Sequence, residues 1–175
     1  AWTEEDCSAD VSAAWDDTFL YVQATVRDQT FNQQLTGEAV WNQDSIQILA
    51  AAGVDTPWTE FCLALTPAGP QVWRTGDSEP LAGARLAVVL QPGVALYEMA
   101  LPWRAFKAMG APHEAMSLRY AVAINDHDAV GARHYLERFI GSIVHGKSAA
   151  ACGELVLLGP LSPGPSAGLR TVTFR

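Results

Sequence analysis

The chain is built from short β-prone segments separated by turn signals, and this spacing limits the folds open to it. Residues 19–27 are rich in aromatic and β-branched residues and follow the turn at 16–18, as in a β-hairpin. Segments of the same kind recur at 44–51, 60–65 and 118–125. The sequence holds roughly nine or ten such strands without a regular alternation of strands and helices. We therefore predict an all-β protein, an antiparallel β-sandwich of jelly-roll type.

Two segments depart from the strand pattern. Pro102 begins a run of helix-forming residues and Gly110 follows its end, the usual asymmetry of helix termini, so one short helix is predicted near residues 102–109. The stretch from Gly159 onward is rich in Pro, Gly and Ser. Residues 1–158 are therefore predicted to form the sandwich, and residues 159–175 a tail or a linker.

The composition excludes several kinds of partner. A chain of 175 residues with 49% hydrophobic and 17% charged residues has the material for one folded domain. Its net charge of −8 disfavours nucleic-acid phosphates and anionic membrane surfaces. No apolar run is long enough to span a bilayer. We predict no nucleic-acid or membrane partner, and expect an uncharged or cationic small ligand or a divalent cation.

The three cysteines do not form a metal or redox motif. Cys7, Cys62 and Cys152 have no CxxC spacing, and an odd number allows at most one internal disulfide. Cys7 and Cys152 lie near opposite ends of the chain, and chain ends are often neighbours in a sandwich. They are the candidate pair, and the oxidation state stays open at this point.

The stretch 39–50 joins a polar loop to an alternating strand, and it carries the first candidate binding residues. Trp41 stands at the junction, and Gln47 points away from Ile46 and Ile48 because strand side chains alternate. Trp41 is either a lid on the core or a stacking platform for a sugar ring, whose C–H face suits an aromatic plane. Cys62 is predicted to lie on the same face as Gln47, as a small buried hydrophobe.

The remaining tryptophans divide into two groups. Trp15 falls on an apolar strand face and Trp103 at the predicted helix start, so both are expected to pack in the core or at its edge, as is Trp73. Trp58 precedes a strand in a loop, and its role is left open by the sequence.

A tight acidic loop offers a candidate metal site. Asp126 and Asp128 flank His127 directly after a predicted strand. Such a turn is commonly capped by its own side chains, but carboxylate oxygens are also the ligands that Ca²⁺ prefers. The sequence shows no motif for a catalytic set and no metal-binding spacing of histidines. We therefore predict a protein that is not an enzyme and requires no cofactor, and Asp126 and Asp128 are the candidate ligands of a structural Ca²⁺.

The order of several short motifs resembles the family 9 carbohydrate-binding modules. The matching segments run in order over roughly residues 9–158: Ala14-Trp15-Asp16-Asp17-Thr18-Phe19-Leu20-Tyr21-Val22, Val26-Arg27-Asp28, Trp41-x-x-Asp44-Ser45-Ile46-Gln47-Ile48, Tyr97-Glu98-Met99-Ala100-Leu101-Pro102-Trp103, Ile124-Asn125-Asp126 and Gly153-Glu154-Leu155. The resemblance implies a β-sandwich that is usually attached to a secreted polysaccharide-degrading enzyme and often binds structural calcium. Its sugar-binding members hold a sugar at a chain end between two Trp rings.

The family pattern carries over to this sequence in part. Trp41 matches the first Trp of the clamp, and Gln47 stands where a Glu is usual. Cys62 takes the place of an Arg, and Ala123 that of a Gln. The stretch that should hold the second Trp, between residues 139 and 153, contains none, and His145 lies nearest to the expected position.

The expected function is a non-catalytic carbohydrate-binding module of a larger secreted enzyme, extracellular or periplasmic. Trp41 is expected to stack on a sugar ring, Gln47 and Asn125 to bind hydroxyl groups, and His145 to close the other side, with Cys62 beside them. Two alternatives remain. One is a structural domain that has lost sugar binding and packs against neighbouring domains. The other is a haem-binding domain of the DOMON-like type, with an axial ligand among the methionines Met99, Met109 and Met116.

Overall fold

Eleven β-strands and three short 3-10 turns make up the described part of the chain. The computed structural model describes residues 7–128, 134–139, 141–159 and 170–174, the last for their backbone alone. The strands are β1 Cys7–Trp15, β2 Phe19–Asp28, β3 Ser45–Ala51, β4 Trp58–Thr66, β5 Gly69–Arg74, β6 Arg85–Gln91, β7 Val94–Pro102, β8 Ser117–Asp126, β9 His134–Glu137, β10 Gly153–Leu157 and β11 Arg170–Phe174. The 3-10 turns are Gly37–Asn42, Trp103–Ala105 and Ala149–Ala151.

The strands form two antiparallel sheets that face each other, which confirms the predicted β-sandwich. The first sheet has the order β11-β1-β2-β7-β6, and the second has β5-β4-β3-β8-β10-β11 with β9 beside β8. Strand β11 belongs to both sheets, because its first residues pair with β1 and its later residues with β10. The last residues of the predicted tail thus form a strand of the sandwich. The linker predicted for the preceding residues, 160–169, lies outside the described residues.

The core follows from the alternation of side chains along each strand. Ile46 and Ile48 of β3 and Phe61 of β4 are buried between the sheets. Trp15 and Trp103 are buried with them, as the sequence predicts, and their indole N–H groups donate to the backbone oxygens of residues 158 and 16, at 2.9 and 2.8 Å. Satisfying these donors allows two large aromatic rings to be buried without an unpaired polar group.

The predicted helix near residues 102–109 is a single 3-10 turn, Trp103–Ala105. The backbone of Phe106 is already extended, and its ring packs at 4.9 Å from that of Phe61 and 5.3 Å from that of Trp103. Seating both aromatic rings of this short segment against the core determines its path more strongly than helix propensity does. No helix in the described residues is long and apolar enough to cross a membrane.

The three cysteines are buried thiols, and Cys7 and Cys152 are not bridged. Cys7 belongs to the main core between the sheets. Cys152 belongs to a separate cluster, with Leu49 and Ala121, on the opposite face of the second sheet. The sheet itself lies between the two thiols, so the nearness of the chain ends does not bring them together.

Candidate functional site

The face of the second sheet that points away from the first sheet carries the candidate site. Gln47 of β3 is directly paired with Cys62 of β4, and Cys62 with Trp73 of β5. Alternation places Glu60 on the same face, two residues before Cys62. The strand register therefore assembles a row of polar and aromatic side chains from three neighbouring strands, and the predicted contact of Cys62 with Gln47 is present.

A pocket of about 90 Å³ opens on this face, and we call it the Trp41 pocket. It is lined by Glu38, Trp41, Gln47, Glu60, Cys62, Trp73, Arg74, Thr75 and Lys147. The 3-10 turn Gly37–Asn42 positions Trp41, since the buried side chain of Val40 packs against Cys62 and leaves the neighbouring indole 39% exposed. Three residues proposed from the sequence, Trp41, Gln47 and Cys62, thus line one pocket.

A hydrogen-bonded chain of side chains runs along the floor of the Trp41 pocket. Asn125 donates to Oε1 of Gln47 at 3.0 Å, and Nε2 of Gln47 donates to Oε1 of Glu60 at 2.7 Å. The other oxygen of Glu60 accepts from the hydroxyl of Thr75 at 2.7 Å and forms an ion pair with Lys147. The Glu60 side chain is fully buried, so these donors and the ammonium group compensate a charge that has lost its water.

The loop 141–148 brings Lys147 to the pocket. The carboxylate of Glu137 on β9 anchors this loop, accepting from the hydroxyl of Ser142 at 2.7 Å and from backbone N–H groups of the two residues that follow. Ile143 is buried in the cluster that contains Ala123. The loop therefore covers position 123, where the resemblance would place a Gln, and delivers a lysine to the pocket instead.

Two of the residues proposed from the sequence lie outside the lining of the Trp41 pocket. Asn125 is 2% exposed and sits behind Gln47, where it also donates to the hydroxyl of Ser45 at 3.0 Å. His145 contacts Tyr135, with an edge-on ring arrangement at 5.5 Å and a hydrogen bond from or to the tyrosine hydroxyl. Asn125 is thus placed to orient Gln47, and His145 is removed from the pocket that Lys147 lines.

Trp73 is the pocket residue that sequence reasoning assigned to packing. Its ring packs on the buried cluster of Val40 and Cys62, and a Cβ on Gly37 would lie 3.8 Å from its Cζ2 atom. The left-handed backbone of Gly37, at φ +70°, shapes the turn beside this ring. The ring therefore packs, as the sequence predicts, and the residue also lines the pocket. The pairing of β5 with β4, which sets Trp73 beside Cys62, is the feature that would have predicted Trp73 at the pocket.

Burial keeps the thiol of Cys62 neutral. Desolvation raises the pKa of Cys62 to about 12, and the nearby carboxylate of Glu60 contributes in the same direction. A neutral thiol is a poor nucleophile and a weak hydrogen-bond donor. Cys62 is thus an apolar part of the pocket floor, as the sequence predicts.

A second group of side chains lies at the ends of β2 and β8. Carboxylate oxygens of Asp28, Asp126 and Asp128 lie within 4.8 Å of one another, and we call this group the aspartate cluster. Asp126 and Asp128 are the predicted calcium ligands, while Asp28 enters from a distant strand. Asp44 lies beside them, and burial, together with the charge of Asp28, raises its pKa to about 8. Close carboxylates that repel one another offer the hard oxygen donors that Ca²⁺ takes.

The methionines that the haem alternative requires belong to the main core. Met99 is buried between the sheets, and Met109 and Met116 pack against the same cluster. Their thioethers fill core volume, which is a sufficient reason for their presence.

The fold and the site define a class of protein. A β-sandwich with a pocket on one sheet face, lined by aromatic rings and a few buried polar groups, has the kind of lining that small-molecule-binding modules use. Residues 1–140 match the family described as "Carbohydrate family 9 binding domain-like", and the chain belongs to this family. It is therefore a carbohydrate-binding module, from a family of non-catalytic binding domains.

Solved structures share the fold at low sequence identity. One is a carbohydrate binding module family 9 from Caldicellulosiruptor kristjanssonii in complex with cellotriose, with a TM-score of 0.70 and 19% identity over 95% of this chain and 80% of that chain. Another is a module of the same family and organism in complex with glucose, with a TM-score of 0.70 and 18% identity over 95% of this chain and 83% of that chain. No curated protein gave a significant match to the sequence.

Proposed function

We propose that the Trp41 pocket binds one sugar unit of an oligosaccharide or polysaccharide, between aromatic rings and over a polar floor. The observation that carries this proposal is that Trp41 and Trp73 line the same pocket as the chain of hydrogen bonds through Gln47 and Glu60. Aromatic planes suit the C–H faces of a sugar ring, and fixed polar groups select its hydroxyls. Trp73 supplies the second aromatic surface, from β5 and not from the stretch 139–153 that the family resemblance suggests.

The size of the pocket favours recognition of a terminal sugar. A volume of about 90 Å³ is well below the range of roughly 300–1,000 Å³ that encloses most small ligands. The pocket therefore takes part of one ring, while the rest of the glycan extends into solvent. Binding of glucose and cellotriose by the related modules is consistent with this mode.

The polar residues have separate tasks in this proposal. Lys147 has one hydrogen bond to Glu60, which leaves two N–H donors for hydroxyl oxygens of the ligand. Gln47 and Glu60 form the polar floor of the pocket beneath the sugar. Asn125 acts as a positioning residue that holds the amide of Gln47, and it does not touch the sugar. A hydroxyl that is buried without its partner costs about 1–3 kcal/mol, which is the source of selectivity.

The same proposal includes the larger protein to which the module belongs and its location. A sugar-binding domain without catalytic function is useful when it holds an attached enzyme near its polysaccharide, so we place it in a larger carbohydrate-active protein. Because the polysaccharides that such enzymes degrade lie outside the cell, the expected location of the protein is extracellular or periplasmic.

A calcium ion at the aspartate cluster is a second proposal. Asp28, Asp126 and Asp128 hold their carboxylate oxygens within 4.8 Å of one another, a spacing that one cation can bridge. The ion would join the end of β2 to the end of β8. Its contribution would be structural, because the aspartate cluster shares no residue with the lining of the Trp41 pocket.

Calorimetric titration tests the sugar site. The protein is titrated, with calcium present, with xylo- and cello-oligosaccharides in native form and with the reducing end chemically reduced. Binding that is lost on reduction supports recognition of a terminal ring. Binding that survives reduction shifts the site to another part of the glycan. An absence of heat with every sugar overturns the proposal and leaves a structural domain.

A further inference from the structure

The only two lysines of the sequence converge on one aromatic ring. The Nζ atoms of Lys107 and Lys147 lie 6.0 and 5.8 Å from the ring centroid of Trp58. Both distances are within the range of about 6 Å for an ammonium group attracted by an aromatic ring. A chain with a net charge of −8 thus gathers both of its ammonium groups at one place.

Each lysine contacts a residue of β4, Lys107 through its backbone and Lys147 through its side chain. The backbone N–H of Lys107 donates to the hydroxyl of Thr59 at 2.6 Å. Lys147 is paired with Glu60, the next residue, and it lines the Trp41 pocket. Trp58 precedes both positions and packs on the cluster that contains Ile143 of the loop 141–148. Both ammonium groups thus lie beside Trp58, and that of Lys147 also lines the Trp41 pocket; we call Lys107, Trp58 and Lys147 the lysine edge.

The charge on the lysine edge is only partly neutralised. Glu60 compensates Lys147, whereas Lys107 makes no ion pair with any residue for which the structure describes a side chain. Arg74, also in the pocket lining, is already paired with Asp77 at 2.9 Å. The net negative charge of the whole protein acts weakly here, since exposed charges are screened beyond about 8 Å at physiological salt.

We infer that the preferred ligand of the Trp41 pocket is a sugar that carries a carboxylate, a uronic acid. The sugar ring lies between Trp41 and Trp73 as in the proposed function, on which this inference rests. Its carboxylate then faces the lysine edge, where Lys147 donates the hydrogen bonds left after Glu60 is satisfied and Lys107 supplies the uncompensated charge. Because the edge offers N–H donors and positive charge together, it favours an anionic group over a neutral hydroxyl.

A matched pair of sugars tests this assignment. The chain is titrated by calorimetry with glucose and glucuronate, and with a neutral disaccharide and its uronate counterpart, at low and high salt. The uronate is expected to bind about fivefold more tightly than its neutral counterpart at low salt, the effect of one exposed ion pair. The preference should shrink as salt is added.

Two variants locate the charge that is responsible. Lys107→Gln is expected to bring the uronate-to-neutral affinity ratio close to one, and Lys107 is exposed, so the variant should melt like the parent chain. Arg85→Gln removes the same charge from β6 on the first sheet and should leave the ratio unchanged. Equal binding of both sugars by the parent chain, or loss of the preference in Arg85→Gln, overturns the inference and spares the proposed function. Failure of every sugar to bind overturns both.

Discussion

Gln47 donates a hydrogen bond to the buried carboxylate of Glu60 at 2.7 Å, diagonally across β3 and β4. This bond connects the interior to the pocket, because Asn125 holds Gln47 from behind and Lys147 pairs with Glu60 in front. One buried carboxylate therefore sets the polarity of the pocket floor. The geometry of the sugar site and the stability of the second sheet depend on the same group.

The pair of Glu60 and Lys147 should be strongly coupled. Glu60→Gln removes the charge that holds Lys147 and leaves donors without a good acceptor, so the free energy of unfolding should fall by about 1–3 kcal/mol. Lys147→Met leaves a buried carboxylate uncompensated and should also destabilise. The double variant should lose less free energy of unfolding than the two single variants lose together, as measured by urea unfolding.

An exposed ion pair provides the comparison. Arg27 and Asp10 are joined at 2.8 Å on the surface of the first sheet. Arg27→Gln should change the free energy of unfolding by less than about 1 kcal/mol. If the losses of unfolding free energy in the Glu60 and Lys147 variants were additive, they would contradict the coupling predicted for that buried pair.

The exposed tryptophan should matter for binding and little for folding. Trp41→Ala removes a stacking surface that is 39% exposed, so sugar binding should be abolished while the free energy of unfolding stays within about 0.5 kcal/mol. Calorimetry and a thermal melt measure the two effects. Val89→Ala, an exposed side chain on β6, is the control. Unchanged sugar affinity in Trp41→Ala would show that ligands bind elsewhere.

Trp73 should show a mixed effect, because its ring both packs and lines the pocket. Trp73→Phe keeps an aromatic side chain over the buried cluster and should retain the fold, while the smaller ring weakens sugar binding. Trp73→Ala should lower both the affinity and the melting temperature. Full sugar affinity in Trp73→Ala would limit the residue to packing.

Calcium should raise the melting temperature through the aspartate cluster. A ligand that binds only the folded state adds about 2.7 kcal/mol at a concentration one hundred times its Kd. Excess chelator should reverse the gain, and Asp128→Asn, at the exposed member of the cluster, should reduce it. Asp55→Asn, in the exposed loop before β4, should leave the gain intact. A melting temperature insensitive to calcium and chelator would remove the ion from the structure.

The chain should lose stability at alkaline pH. Burial raises the pKa of Cys62 to about 12 and that of Cys152 to about 11, from the usual 9.0. Above pH 9 the unfolded thiols release protons that the folded thiols retain, so the free energy of unfolding falls as the pH rises from about 9 to about 12. Cys62→Ala should make this decline less steep in urea titrations at several pH values. A decline as steep as in the parent chain would assign the effect to other groups, such as the buried Tyr97 and Tyr120, whose pKa values burial also raises.

All three cysteines should titrate as free thiols. The denatured chain, prepared without reductant, should react with three equivalents of a thiol reagent, and the folded chain should react slowly because each thiol is buried. One equivalent would reveal a disulfide and contradict the structure.

Local patterns predicted the elements that depend on neighbours in sequence. The alternation at 45–51 assigned Ile46 and Ile48 to the core and Gln47 to the outer face, and the structure confirms both. The helix near 102–109 is shorter than predicted because two aromatic rings pack against the core. Propensity describes the isolated segment, and tertiary contacts override it.

The site residues that the sequence did not predict come from distant parts of the chain. Trp73 reaches the pocket through the pairing of β5 with β4, and Lys147 through a loop anchored by Glu137. Asp28 joins Asp126 and Asp128 from the far end of the first hairpin. No spacing in the sequence connects these residues, so the sequence predicted His145 at the site, while Lys147 is the residue of that loop that lines the pocket.

The sequence by itself determined the all-β class, the inward and outward faces of the strands and the family motifs, because side-chain alternation and turn chemistry act over a few residues. The tertiary structure alone decided which polar groups meet. The register between strands and the path of the loop 141–148 bring Gln47, Glu60 and Lys147 together. Those contacts form between segments far apart in the chain, and only the packing of the whole sandwich fixes them.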